Sequence, residues 1–144
     1  MLTLGKALVA EMLAHVGGVW PEEGCGLVGG RRSGAGSRAV RLYPVENIHH
    51  SPVAFEMDPL QQIRAMLAME AEGLELIAIY HSHPDGPARP SPTDVANAWY
   101  PDAVQLIISL VDRARPGVRA FTIIDGLVTE IALVVEESSR KDAK

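Results

Sequence analysis

The stretch "LELIAIYHSHPDGPARPSPTD", Leu74 to Asp94, changes character twice. Its first seven residues follow Gly73 and are nearly all apolar, at the length of a strand buried in a sheet. That strand runs directly into His81. In an extended chain residues i and i+2 point the same way, so the imidazoles of His81 and His83 converge on one side of the strand end. A loop from Asp85 to Pro90, rich in proline and glycine, then turns the chain. Ser91-Pro92-Thr93-Asp94 has the form of a helix start, with Ser91 as N-cap, Pro92 at the first helical position and Asp94 at the third, where its charge suits the helix dipole.

Outward from this stretch the chain divides into short elements. Upstream, Asp58-Pro59 opens a helix that runs to about Gly73, and "VAFEM" before it is a short extended piece. "CGLVGG" and "RAVRLYPV", with "RRSGAGS" as the turn between them, form a hairpin whose second strand Pro44 closes. At the N-terminus Leu4, Leu8 and Met12 fall four apart beside Val9, Leu13 and Val16, which predicts a helix capped by Thr3 and ended by Gly17-Gly18. Downstream, the helix begun at Ser91 stops at Pro101, and "VQLIISLV", "VRAFTIID" and "LVTEIALVV" read as three strands. This order predicts one α/β domain over residues 1–135, a mixed β-sheet flanked by helices in a layer sandwich, followed by a polar, disordered tail over 136–144.

Composition bounds the function. A chain of 144 residues with 47% hydrophobic and 22% charged residues is an ordinary globular domain. A net charge of −5, with short basic clusters only at Arg31-Arg32 and between Arg113 and Arg119, provides no field for phosphates and argues against nucleic acid. Lys6, Glu11 and His15 interrupt the apolar N-terminal run, so it reads as a helix and not as a signal peptide, and no window reaches the ~18 apolar residues of a membrane span. The single cysteine, Cys25, excludes an internal disulfide and a cysteine-rich metal knuckle, and fits a reducing cytoplasm.

Chemistry concentrates around the quoted stretch. Neutral imidazoles of His81 and His83 with a carboxylate oxygen of Asp94 form a donor set for Zn²⁺ that leaves the fourth position open, as a hydrolytic site requires. The base that such a site needs is offered by "PEEGCG", where Glu22 or Glu23 precedes a strand able to lie beside the histidine strand. Each feature also has a plain structural reading. Ser91 and Asp94 can be a helix cap and nothing more, Glu22-Glu23 a solvated pair, and Cys25 a small buried hydrophobe. His49-His50 does not make a second metal site, because adjacent residues on an extended chain point apart.

The combination Glu…His-Ser-His-Pro…Ser-x-x-Asp resembles the JAMM/MPN+ family of zinc-dependent metallopeptidases, and nearly the whole chain fits. "PEEGCGLVGG" resembles the family's glutamate-bearing strand entry, "FEMDP" the opening of its central helix and "YHSHPDGPARPSPTD" its metal loop. The resemblance implies the MPN/JAMM fold, a cytidine-deaminase-like layer sandwich. It implies one zinc ion held by His81, His83 and Asp94, with Glu23 as general acid/base, Glu22 as its fallback, and Ser91 as the donor to the oxyanion. The compact chain is most similar to small prokaryotic members, which implies a ubiquitin-like sulfur-carrier protein ending in Gly-Gly as partner and substrate, with the segment "NIHHSPVAF" lining the groove; a homodimer is compatible with it. The rival reading is a non-catalytic scaffold of the same fold. A zinc deaminase is excluded, because its signature needs a Cys-x-x-Cys pair and Cys25 stands alone.

Overall fold

The structure, a computed structural model, describes residues 1–34 and 36–137. Its elements are β1 (Leu2–Gly5), α1 (Lys6–Gly18), β2 (Cys25–Ser33), β3 (Gly36–Val45), α2 (Pro59–Ala71), β4 (Glu75–His83), α3 (Pro92–Ala96), β5 (Val104–Ser109), β6 (Gly117–Ile124), β7 (Leu127–Ile131) and β8 (Leu133–Glu136). The eight strands form one mixed sheet in the order β7-β6-β5-β4-β2-β3-β1-β8. β4 sits in its middle, antiparallel to β2 and parallel to β5.

Alternation along the central strands sends side chains to two cores, each under one helix. Val28 and Tyr80 pack with Met12 and Val16 of α1, whereas Leu27 and Ile79 pack with Ala65 and Met69 of α2. The sandwich inferred from element order is therefore the observed architecture. α2 starts as the Asp58-Pro59 pair predicts: Asp58 Oδ1 accepts from the N–H groups of Leu60 and Gln61, both at 3.0 Å.

Several local expectations are corrected. Thr3 does not cap a helix; it is buried in β1, and α1 begins after Gly5 with no side-chain cap. Leu2 and Leu4, both 0% exposed, belong to a strand between β3 and β8, a signal that the four-residue spacing of Leu4, Leu8 and Met12 conceals. Pro44 does not close its strand, since β3 continues to Val45. "VAFEM" joins no ladder beyond a single bridge from Asn47 to Met57. "LVTEIALVV" divides at Ala132: β7 borders β6, β8 borders β1, and the Ala132 carbonyl accepts from the Leu2 N–H at 3.0 Å. One extended segment thus joins both ends of the strand order, so the sheet curls until its edges approach. Glu136 ends β8, and residues 138–144 of the expected tail lie outside the described residues.

One close approach in the sheet gives a first prediction. Tyr80 is 0% exposed and its hydroxyl is 2.7 Å from His15 Nδ1, while its ring lies across Gly26 of the neighbouring strand. A Cβ on Gly26 would meet the Tyr80 ring atoms at 2.5 Å. With its hydroxyl tied to His15 the ring has no easy retreat, so Gly26→Ala should destabilise by about 1–3 kcal/mol, read as a lowered denaturation midpoint.

Candidate metal centre

The centre forms where β4 ends. His81 and His83 project from the same face of β4, the face that α2 covers, and their Nε2 atoms are 3.1 Å apart. α3 brings Asp94 to them, with Oδ2 at 3.1 Å from His81 Nε2 and 3.0 Å from His83 Nε2. Three donor atoms thus form a nearly equilateral triangle. A tetrahedral zinc with bonds of about 2.0–2.1 Å sets its ligands about 3.3 Å apart, so the triangle is close to one face of that polyhedron.

Proton positions point the same way. His83 Nδ1 lies 2.8 Å from the Pro87 carbonyl, which can only accept, so Nδ1 carries the proton and Nε2 presents a lone pair to a carboxylate oxygen. A lone pair facing a carboxylate oxygen at 3.0 Å calls for a cation between them. The ring of His81 is held differently: Phe55 stacks on it at 4.5 Å with 27° between planes, and its Nδ1 is buried without a partner among the described residues.

The helix-cap reading of Ser91 and Asp94 is correct, and it does not compete with the ligand reading. Ser91 Oγ accepts from the Asp94 N–H at 3.1 Å, and Asp94 Oδ2 accepts from the Ser91 N–H at 2.9 Å, a reciprocal capping box. The box aims Oδ2 at the histidines. Burial opposes ionisation of Asp94, but the neighbouring His81 and His83 and the Ser91 N–H outweigh it and hold the carboxyl well below the usual range.

The two glutamates separate cleanly. Glu23 is 6% exposed, and one carboxylate oxygen lies with donor nitrogens of His81 and His83 inside a group no wider than 4.8 Å. Its Oε1 is buried without a partner among the described residues. Burial raises its pKa to about 7, with the charge of His83 lowering it and that of Asp94 raising it. Glu22 turns away, 3.1 Å from His50 Nδ1. Register explains the difference: Cys25 of β2 faces His81 of β4, so the residue two before Cys25 reaches the histidine side. Cys25 itself is a buried hydrophobe, its thiol pushed up to about 12 by burial and the Glu23 charge. His49 and His50 do point apart, His49 to Glu56 at 3.2 Å and His50 to Glu22 and Glu46.

Beside Glu23, His81 and Asp94 opens a cavity of about 600 Å³ with apolar walls from Phe55, Met57, Trp99 and Tyr100. His49, Val53, Ala54 and Phe55 contribute to its lining, as the groove expectation held.

Comparison with known proteins bears on this geometry. Residues 5–124 match the family model described as prokaryotic homologs of the JAB domain. The chain belongs to this JAB family. A relative in Thermus thermophilus, described as a probable TtuB-protein conjugate cleaving protease, is 43% identical over 136 residues, 94% of this chain and 83% of the relative. A CysO-cysteine peptidase of Mycobacterium tuberculosis is 36% identical over 137 residues, covering 95% and 92% of the two chains. A solved protein of Desulfitobacterium hafniense superimposes with a TM-score of 0.89 at 40% identity over 98% of this chain and 97% of that one. The JAB-family homologues with named activities are thus peptidases of the JAMM type, and this JAB domain keeps a His-His-Glu group able to hold a metal ion.

Sequence reasoning did not find Phe55 over His81, nor the loop that holds Glu23. Neither carries a spacing signal, because both depend on a loop packing across the sheet.

Proposed function

We propose that this JAB protein is a zinc-dependent peptidase that hydrolyses the amide bond after the C-terminal Gly-Gly of a ubiquitin-like sulfur-carrier protein. The observation that carries the reading is the triangle of His81 Nε2, His83 Nε2 and Asp94 Oδ2 with the Glu23 carboxylate beside it. His81, His83 and Asp94 would hold one zinc ion per chain. Zinc there would supply Lewis acidity for the carbonyl and for the attacking water.

The protein's own groups do the rest. Glu23, buried with a carboxyl that titrates near neutrality, takes a proton from the attacking water and returns it to the departing amine. Ser91 Oγ accepts from the Asp94 N–H, which leaves its own O–H free to donate to the carbonyl oxygen as the carbon becomes tetrahedral. An extended diglycine tail, lacking side chains, can approach the buried Glu23 carboxylate closely along the cavity. Support for the carrier comes from the relatives, whose described substrates are a TtuB–protein conjugate and CysO–cysteine. No helix among the described residues is long and apolar enough to cross a membrane, and a free buried thiol suits a reducing cytoplasm.

The reading is tested by zinc analysis of protein prepared with zinc, paired with mass spectrometry of a carrier extended beyond Gly-Gly. About one zinc per chain and trimming to Gly-Gly are expected; protein that takes up no zinc and cuts nothing would leave a scaffold of the same fold. Ser91→Ala should keep zinc and lose about 10²–10³-fold in kcat. A residue that only caps would cost about 1 kcal/mol of stability and leave turnover per folded molecule unchanged.

A further inference from the structure

Glu23 lies between α1 and β2, where no strand ladder holds its backbone. Gly24 next to it is tied to Ser82 of β4, by the Ser82 N–H to its carbonyl at 2.9 Å and its own N–H to Ser82 Oγ at 2.8 Å, and the loop after β3 holds Glu23 itself. The Glu23 N–H donates to the Ser51 carbonyl at 2.8 Å, and the Glu23 carbonyl accepts from Asn47 Nδ2 at 3.0 Å. The same Nδ2 donates to the Ala54 carbonyl at 3.0 Å, while Oδ1 accepts from the N–H groups of His49 at 3.0 Å and Glu56 at 3.2 Å. Asn47 is 6% exposed, and all four bonds are met by one orientation of its amide.

These bonds join two sides of the metal centre. On one side Asn47 pins the backbone of Glu23; on the other it brackets residues 54–56, from which Phe55 stacks on His81. The loop between has turn bonds and exposed ion pairs of its own, but His50 stands at a φ of +47° and Val53 is exposed, so the buried Asn47 amide, with the Ser51 carbonyl, is what ties it to Glu23. A carboxylate that must shuttle a proton loses rate steeply when displaced, with a 1 Å misplacement costing on the order of 10²-fold.

We propose that Asn47 is a positioning residue for amide hydrolysis, holding the Glu23 carboxylate in place beside the histidines. The inference rests on the peptidase reading, and its test has an arm that does not. Asn47→Asp keeps both accepted bonds and loses both donated ones; Asn47→Ala loses all four and serves if the aspartate variant does not fold.

Three measurements are made on the zinc-loaded protein. Turnover of the extended carrier should fall about 10–100-fold in kcat, with KM and zinc content essentially unchanged. In a cycle with Glu23→Gln, the second substitution should add little further loss, because both act through one carboxylate. Amide hydrogen exchange should quicken at Glu23 in either variant, and at His49 and Glu56 in Asn47→Ala, while β4 and β5 keep their protection. Full additivity in the cycle, zinc lost in step with rate, or a loss confined to KM would overturn the proposal. If the wild type cuts no carrier, the peptidase reading falls by itself; exchange at Glu23 that is unaltered in the variant overturns the positioning role whatever the wild type cuts.

Discussion

Replacing Glu23 with glutamine is expected to lower kcat by about 10²–10⁴-fold while the protein still binds about one zinc per chain. The side chain keeps its volume and loses the ability to take and return a proton. Steady-state cleavage of a carrier extended past Gly-Gly, with elemental analysis of the same sample, checks both halves. Loss of zinc along with activity would assign Glu23 to the ligand shell, since one of its oxygens shares the 4.8 Å group with both histidines. A second signature is thermodynamic. Burial, modulated by His83 and Asp94, raises this carboxyl from 4.5 to about 7. A group whose pKa rises on folding leaves the fold at full stability below its unfolded value and weakens it as pH climbs through the interval up to the folded value. Zinc-free Glu23→Gln should therefore melt above zinc-free wild type at pH 8, and the gap should close toward pH 4.

Asp94 carries the second large effect, because its Oδ2 serves two purposes. It lies 3.1 and 3.0 Å from the histidine nitrogens and also accepts the Ser91 N–H at 2.9 Å. Asn retains an oxygen for that N–H but supplies no anion for the metal. Asp94→Asn should thus weaken zinc binding by more than about 100-fold, given that loss of an outer-shell partner alone costs 10–100-fold, and abolish cleavage. Zinc-free, it should keep the Ser91 cap but lose, at neutral pH, the stability that the depressed Asp94 carboxyl contributes, a gap that closes as pH falls. Asp94→Ala should lose zinc equally and also about 0.5–2 kcal/mol of helix-cap stability. Denaturation of the three zinc-free proteins separates the two purposes. Zinc retained by both variants would show that Asp94 is only a cap.

The parts of the fold legible in the chain were those whose signal is local. β4 reads as a buried strand because "LELIAIY" is apolar at every position but Glu75, and α2 starts where Asp58 caps and proline follows. The His81–His83 pairing follows from strand alternation, and the placement of Asp94 follows from a helix start that is itself a capping box. Thr3 was misjudged because the apolar spacing of α1 extends backward through Leu4, although burial of Leu2 and Leu4 is decided by β3 and β8, remote in sequence. The single run "LVTEIALVV" likewise gives no sign that its halves serve opposite ends of the strand order.

Sequence alone determined the donor types, their placement at a strand end and a helix start, and the family they resemble, because each depends on residues a few positions apart. Tertiary structure decided which glutamate faces the histidines. Glu22 and Glu23 are equivalent by composition, and the pairing of Cys25 with His81, together with the bonds from Glu23 to Ser51 and Asn47, turns Glu23 inward and leaves Glu22 with His50. It also decided what steadies the centre, since Phe55 and Asn47 reach it through a loop whose position depends on contacts across the sheet. Local propensity encodes elements; the spatial register between elements distant in the chain, which sets the chemistry, emerges only when their buried faces meet.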